Sequence, residues 1–502
     1  MSVKTRLQRP GRNLPRLSLA ALACAFLTGC ASHSATGARQ ALRAGDSREA
    51  LKWACELQTS RFSKELGALE AGRIHMLVGD FANSQTHLDT AIETVMAKNE
   101  TEPVINLGDL AWTGLAATFT DDTVRPYRIP PYEFILALTY QMWNYIFMGR
   151  PDSARVEARR AVFAQDAFAE KYGPAAQTGS SGMTGHNAKA MSAMDSEMAG
   201  MAPVLELTRS SHENGLAWWF CGILFELDGD ASNARLAYQK AWELVPDNPH
   251  FERDMLRVFR TEWPEKFEEL IEQSNIPAES LGRSGAEIVL VVEEGFVSQR
   301  ESVKIPIPLI GTTATSVDFP MYRDAFYQPL ALSLSTGETR GELSPALYVQ
   351  SLAYRDLKDK MPGIVARNVI RILTRIGGQQ TANFAGGGGM HSHMGSGASI
   401  GVGMFNLASA ILNKADTRAW YMLPMVAHVY RGNIEPGEHT LVLAANRGYY
   451  GRTVSFPVTI GEGETRLVWV ADIGGQSHAV SAPMNENGGP AAREEINSLL
   501  QQ

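Results

Sequence analysis

The stretch WWFCGILFELDGDASNARLAYQKAWELVP, Trp218–Pro246, decides how the first half of this chain reads. Gly229-Asp230 divides it in two. Trp218, Gly222 and Phe225 before the divide, and Ala234, Tyr238 and Ala241 after it, recur at intervals of three and four, the period of a helix. Gly222 and Ala234 are small where two antiparallel helices press together, and Gly229 supplies the turn between them. Tyr238 and Ala241 are placed to pack against a following pair. Pro246 has no N–H and stops the second helix.

These eight positions have the spacing of a tetratricopeptide (TPR) repeat, and less complete copies lie upstream. Gly45 with Ala50 and Gly79 with Ser84 repeat the five-residue step from turn to small residue, and the two glycines are 34 apart. Gly72 and Ala91 fill further positions of the second copy; a third runs through Leu138, Tyr145, Gly149, Ala154, Ala158 and Ala161. The period then stretches. Residues 99–131, with Trp112 and the Pro126–Pro131 run PYRIPP, read as a helix plus an ordered loop. Residues 173–200 are rich in Gly, Ser, Ala and Met and read as a flexible insertion. A last pair, from Pro249 to Gln273, caps the array with a polar face. The expectation is a TPR-like α-helical solenoid over residues 30–275.

Residues 285–480 change character. Glu287–Glu293 encloses five consecutive aliphatic residues and reads as a buried strand that turns at Glu294-Gly295. Val303, Ile305 and Ile307 read as an edge strand because of Pro306 and Pro308. Further strands are expected at 331–334, 346–350, 425–430, 439–444, 452–460 and 465–471, with helices at 362–376 and 402–413. A Gly-rich loop, 377–401, separates the helices, and residues 481–502 form a polar tail with a turn of helix. The result is an α+β, strand-rich C-terminal domain of mostly antiparallel pairing.

The N-terminus carries an address. Lys4, Arg6, Arg9, Arg12 and Arg16 precede an apolar run, Leu17–Leu27, too short for the ~20 residues that cross a bilayer. Leu27-Thr28-Gly29-Cys30 has the pattern of a bacterial lipobox. The expectation is a signal peptide over residues 1–29, with Cys30 then acylated at both its thiol and its amine. Ala31 follows where Asp would retain the protein at the inner membrane. Location is therefore expected on the periplasmic side of the outer membrane. The formal net charge is −8, and losing five cations with the leader makes the body more acidic still, which argues against broad nucleic-acid or anionic-lipid affinity. Cys55 and Cys221, both in helical patterns, are left as buried thiols or a disulfide.

Three stretches carry a resemblance. They are Tyr132-Glu133-Phe134 through Tyr145 with Gly149 and the Ala154–Arg159 run ARVEAR; Glu287–Gly295 with Lys304-Ile305-Pro306-Ile307-Pro308; and Ala415–Trp420 with Leu423-Pro424 and Pro436–Thr440. Together the chain resembles a family of uncharacterised proteobacterial TPR-containing outer-membrane lipoproteins. The resemblance implies an envelope location and the helix-then-strand architecture, and it assigns no catalytic residue. Residues 434–472 also look like a small surface-layer-type β-module.

Candidate chemistry is sparse. His391 and His393, flanked by Met390 and Met394, are the residue types that hold copper(I), but an i, i+2 pair in a Gly-rich loop has nothing to orient it. Gly386–Gly389 lacks the Lys-Ser/Thr of a phosphate loop. Met183, Met191, Met194, Met198 and Met201 make either an adaptable apolar face or a linker. Glu157 and Arg159, beside Arg155 and Arg160, read first as surface ion-pair partners; with Glu133, facing an arginine of the next helix, Arg155, Glu157 and Arg159 are also candidate groove residues for partner recognition. Asp416 with Arg418 reads as a structural pair at a domain seam. The leading expectation is a non-enzymatic, cofactor-free adaptor that binds another envelope protein or peptide through its helical groove. The alternatives are a metal carrier or enzyme using the C-terminal domain, or a glycan binder using Trp420, Tyr449 and Tyr450.

Overall fold

The computed structural model describes residues 34–101, 125–172, 186–283, 285–307, 315–323, 328–337, 339–386, 415–447, 450–474, 476–485 and 494–496. Twelve helices come first: α1 (Ala35–Arg43), α2 (Ser47–Thr59), α3 (Lys64–Leu77), α4 (Phe81–Thr101), α5 (Pro131–Phe147), α6 (Pro151–Tyr172), α7 (His186–Met198), α8 (Ala202–Leu205), α9 (Gly215–Leu227), α10 (Ala231–Leu244), α11 (Pro249–Glu262) and α12 (Pro264–Ile271). Four hairpins, α1/α2, α3/α4, α5/α6 and α9/α10, turn in the same way. Gly45, Gly79, Gly149 and Gly229 all have φ between 69° and 81°. The next residue donates its N–H back five positions: Asp46 to Ala41, Asp80 to His75, Arg150 to Tyr145, Asp230 to Phe225. This is the glycine-terminated helix end that satisfies orphan carbonyls. Asp46, Asp80 and Asp230 then cap the following helix by accepting from the N–H three residues on.

Close approach explains the other small residues. A Cβ on Gly222 would lie 2.7 Å from the Tyr238 ring, and one on Gly72 would lie 2.8 Å from Leu88. Ala50, Ser84, Ala154 and Ala234 are all completely buried. α10 ends at Leu244, two residues before Pro246. Helices α3, α5 and α9 are buried nearly all round, α5 from Tyr132 to Phe147 without a break. A helix with no polar face must be covered on both sides.

The second cover is the strand-rich half. Its strands are β1 (Ala286–Glu294), β2 (Glu301–Ile307), β3 (Thr315–Met321), β4 (Ala331–Thr336), β5 (Thr339–Leu347), β6 (Val426–Ile434), β7 (Gly437–Arg447), β8 (Tyr450–Ile460), β9 (Thr465–Asp472), β10 (Ser477–Pro483) and β11 (Glu494–Ile496), with helix α13 (Val349–Gly386) after β5. Nine strands form one sheet in the order β11-β10-β9-β1-β6-β5-β4-β7-β8. It curls until β11 approaches β8, a near-barrel. β1 is central, antiparallel to β6 and parallel to β9. Its side chains alternate between two cores: Val289 and Val291 face the helices, and Ile288, Leu290 and Val292 fill the inside of the curl. β2 and β3 form a separate two-stranded ribbon.

Several expectations need correction. The Met-rich part of the supposed flexible insertion is helix α7, with Met194 and Met198 buried, followed by a short 3-10 turn that buries Met201; α7 packs on α13 and β2. Thioethers that fill a core look, in composition alone, like a linker. The strand expected at 346–350 is instead the end of β5 followed by the start of α13. α13 runs through Pro362, where a helix start was expected, and continues to Gly386, into the supposed Gly-rich loop. The described residues of the polar tail hold the end of β10 and β11; the others, where a helical turn was expected, lie outside the described residues. Cys55 is exposed and Cys221 buried, and neither is bonded to the other. Residues 1–33, with Cys30 and the leader, lie outside the described residues, as do 387–414, with His391, His393 and the helix expected at 402–413.

Candidate functional site: a sealed polar seam and an open arginine-lined cleft

Between helices and sheet lies a seam of buried charge. Arg73 of α3 pairs with Glu293 of β1, each 2 % exposed. Tyr140 Oη and Trp469 Nε1 also donate to Glu293, at 2.8 Å each, and the guanidinium lies 4.4 Å from the Tyr140 ring centroid. Residues 416–423 run as a strap along this seam, and two carboxylates hold its backbone. Glu70 accepts from the N–H of Tyr421 (2.6 Å) and of Met422 (3.1 Å). Glu133 accepts from the Trp420 N–H (2.9 Å), Tyr132 Oη (3.0 Å) and Tyr127 Oη (2.6 Å). Burial pushes the Glu70 carboxyl up to about 8, against the two N–H donors and Arg39, which pull it down. Arg39 donates to the carbonyls of Tyr421 and Val297, and the expected Asp416–Arg418 pair anchors the strap's start, where Arg418 also reaches Phe62 O.

This arrangement relocates the four candidate groove residues. Glu133 is completely buried and faces two tyrosines and the strap rather than an arginine of the next helix. Arg155 pairs with Asp152 (2.6 Å) and Asp228 (3.5 Å), Arg159 with Asp228 (2.9 Å), and Arg160 with Glu157 (3.0 Å). The two ties to Asp228 join α6 to the end of α9, and the other two lie within α6. Burial raises the Glu157 carboxyl to about 7, opposed by Arg160. The glycan candidate Trp420 is fully buried, edge-on to Tyr140, and presents no ring to solvent. The backbone of Tyr450 lies in β8, and Tyr449 is outside the described residues.

A second ionic cluster joins the last helices to the sheet. Arg431 of β6, with no exposed surface, reaches Glu287 (2.9 Å), Asp254 (3.1 Å), Glu226 (3.2 Å) and Tyr238 Oη (2.9 Å). Arg257 makes a two-pronged pair with Glu226, and Arg283 bonds Glu287 at 2.6 Å. Burial would raise Glu226, but Arg431, Arg257 and Arg283 together hold it down at about 2; Asp254 is also pulled well below the carboxylate range. Beside this cluster opens a cleft of about 290 Å³. Gly229, Ala231 and Ala234 leave the room, Val258 and Leu281 give apolar wall, and Arg257, Arg260 and Arg283 line it with one carboxylate, Glu226, which Arg257 and Arg283 pair. Of the eight positions singled out in Trp218–Pro246, Gly229 and Ala234 line this cleft, and Tyr238 braces its floor by donating to Glu226 at 2.7 Å.

Arg431, Asp254, Glu226, Glu287, Arg73, Glu70 and Glu293 were not singled out from sequence. The signal was present: a lone Glu or Arg inside an otherwise apolar helix or strand must find a buried partner. Among the described residues no group of three or more His, Cys, Asp or Glu side chains could hold a metal ion, and no helix is long and apolar enough to cross a membrane.

No protein-family model matches the chain, and no curated protein matches it. One solved structure it is similar to is the "Assembly Chaperone of RpL4 (Acl4) (Residues 1-338)", at 16 % identity over 48 % of this chain and 89 % of that one, with a TM-score of 0.16. A TM-score that low carries no argument about fold or function.

Proposed function

We propose that this chain is a non-enzymatic adaptor of the TPR-containing lipoprotein type, anchored through Cys30 to the periplasmic face of the outer membrane. In this reading it holds another envelope protein or peptide at the cleft between its last helix pairs. The observation that supports it is the cleft itself. Elsewhere the inner faces of α3, α5 and α9 are occupied by the chain's own strap and sheet, whereas at Gly229 and Ala231 the surface stays open beside three guanidinium groups. Apolar wall with a few placed cations suits an acidic or carboxylate-bearing peptide segment.

The test is capture from solubilised outer membranes with the acylated protein as bait, beside an Arg260→Glu/Arg283→Glu form. A specific partner lost with the double variant supports the reading. A partner retained by that variant removes the cleft from it, and no specific partner with either bait removes the adaptor.

A further inference from the structure

Helix α1, which starts shortly after the proposed anchor in sequence, and the cleft lie at opposite ends of β1. Ser34 caps α1 by accepting from the Gly37 N–H. α1 is seated at the C-terminal ends of β1 and β9: Thr36 bonds Gln299, Arg39 bonds Val297 O, and Arg43 bonds Ile473 O at 2.7 Å. At the other end of β1, Arg283 bonds Glu287 and Thr465, at the starts of β1 and β9, and lines the cleft with Leu281. β1 has nine residues, and at ~3.3 Å per residue its ends are about 26 Å apart.

We infer that the acylated protein stands on the membrane by its α1 end, with α1 against the lipid headgroups and the arginine-lined cleft held away from the bilayer. This rests on the Cys30 anchor of the proposed function. Cys30 and Ser34 are separated by four chain steps, which reach at most about 14 Å. That is half the length of β1, so the body cannot turn its cleft end to the bilayer while its leash is taut. The exposed side chains nearest the leash fit a headgroup surface. α1 has no acidic residue and exposes Thr36, Gln40 and Arg43, while Arg39 is buried against the sheet. Asp46 and Glu49 come only with α2. A partner bound at the cleft would then be met in the periplasmic space rather than in the headgroup layer.

The experiment uses the full acylated lipoprotein in phosphatidylethanolamine/phosphatidylglycerol vesicles containing headgroup-quencher lipid. A Cys55→Ser background carries one fluorescent reporter, at Gln40→Cys on α1 or at Glu462→Cys in the exposed β8–β9 turn. The expected result is loss of fluorescence at 40 and none at 462. Inserting a long Gly/Ser segment between Ala31 and Ser34 should erase that difference while the protein stays on the vesicles. Equal quenching at both sites, or quenching at 462 alone, overturns the orientation. A Cys30→Ser form reports on the anchor separately: if it floats with vesicles as well as the acylated form does, the anchor reading fails, whatever the reporters show.

Discussion

Replacing Arg431 with methionine should destabilise helices and sheet together. Its guanidinium is the group shared by Asp254, Glu226 and Glu287, which come from α11, α9 and β1. Removing one partner of a buried ion pair typically costs about 3–5 kcal/mol, because the opposite charge stays behind unpaired. Here the loss is partly cushioned. Glu226 keeps Arg257, Glu287 keeps Arg283, and Asp254 keeps Arg253 and Arg257 at 3.4 Å and the Trp219 N–H at 2.8 Å. The expected cost is therefore at the low end, roughly 3 kcal/mol. The assay is urea unfolding of the body from residue 31 onward, followed by tryptophan fluorescence and far-UV circular dichroism. Both transitions should move to lower urea by the same amount, and Arg431→Met/Asp254→Asn should recover part of the loss through coupling of adjacent sites. A loss below about 1 kcal/mol, the range of exposed pairs, would refute the reasoning. So would a shift confined to one probe, because Arg431 would then not join the two halves.

Gly222→Ala should cost about 1–3 kcal/mol in the same assay, because the added methyl meets the Tyr238 ring at 2.7 Å in a packed core. Glu70→Gln should cost about 1–3 kcal/mol, since an amide offers one acceptor where two strap N–H groups need one each. Burial lowers the His250 imidazole to about 4, against the Glu342 carbonyl, which favours its charged form. The unfolded chain therefore binds a proton between pH 6.5 and 4 that the folded one refuses, and stability should fall as pH drops through that window; in His250→Leu, unfolding midpoints should show a shallower slope there. Glu226 works from the other side: its folded value near 2 adds stability that is full above the ordinary glutamate range and is lost as pH falls toward 2. Glu226→Gln should flatten the acid limb below pH 4.

The turns were legible because their chemistry is local. Gly45, Gly79, Gly149 and Gly229 mark four hairpin ends that need only a left-handed residue, and Gly222 needs only a neighbour's ring. The central strand was legible because five consecutive aliphatic residues between Glu287 and Glu293 need cover on both faces. Where the reading failed, the deciding partner was distant in sequence. Trp218-Trp219-Phe220-Cys221 shows that α9 has no wet side, but only the fold shows that the chain itself supplies the second cover. An open groove was expected because a repeat array ordinarily leaves one. Glu133, a plausible groove charge in isolation, is bound to Trp420, 287 positions along the chain. Pro362 signals a helix start by local preference, and α13 overrides it through the packing of Leu352, Ala353, Leu357, Met361 and Val365. The cleft was half legible: the sequence marked its small residues, while its arginines come from α11 and from the approach to β1.

Amide hydrogen exchange at Trp420, Tyr421 and Met422 tests most directly whether the helical array is closed by its own strap. Their N–H groups end on Glu133 and Glu70, both buried, so they should exchange only with global unfolding, as slowly as the core amides of β1. Exchange of these three amides at loop rates, in a protein whose β1 remains protected, would contradict the account: the inner face would be open, and a partner could bind there rather than at the cleft.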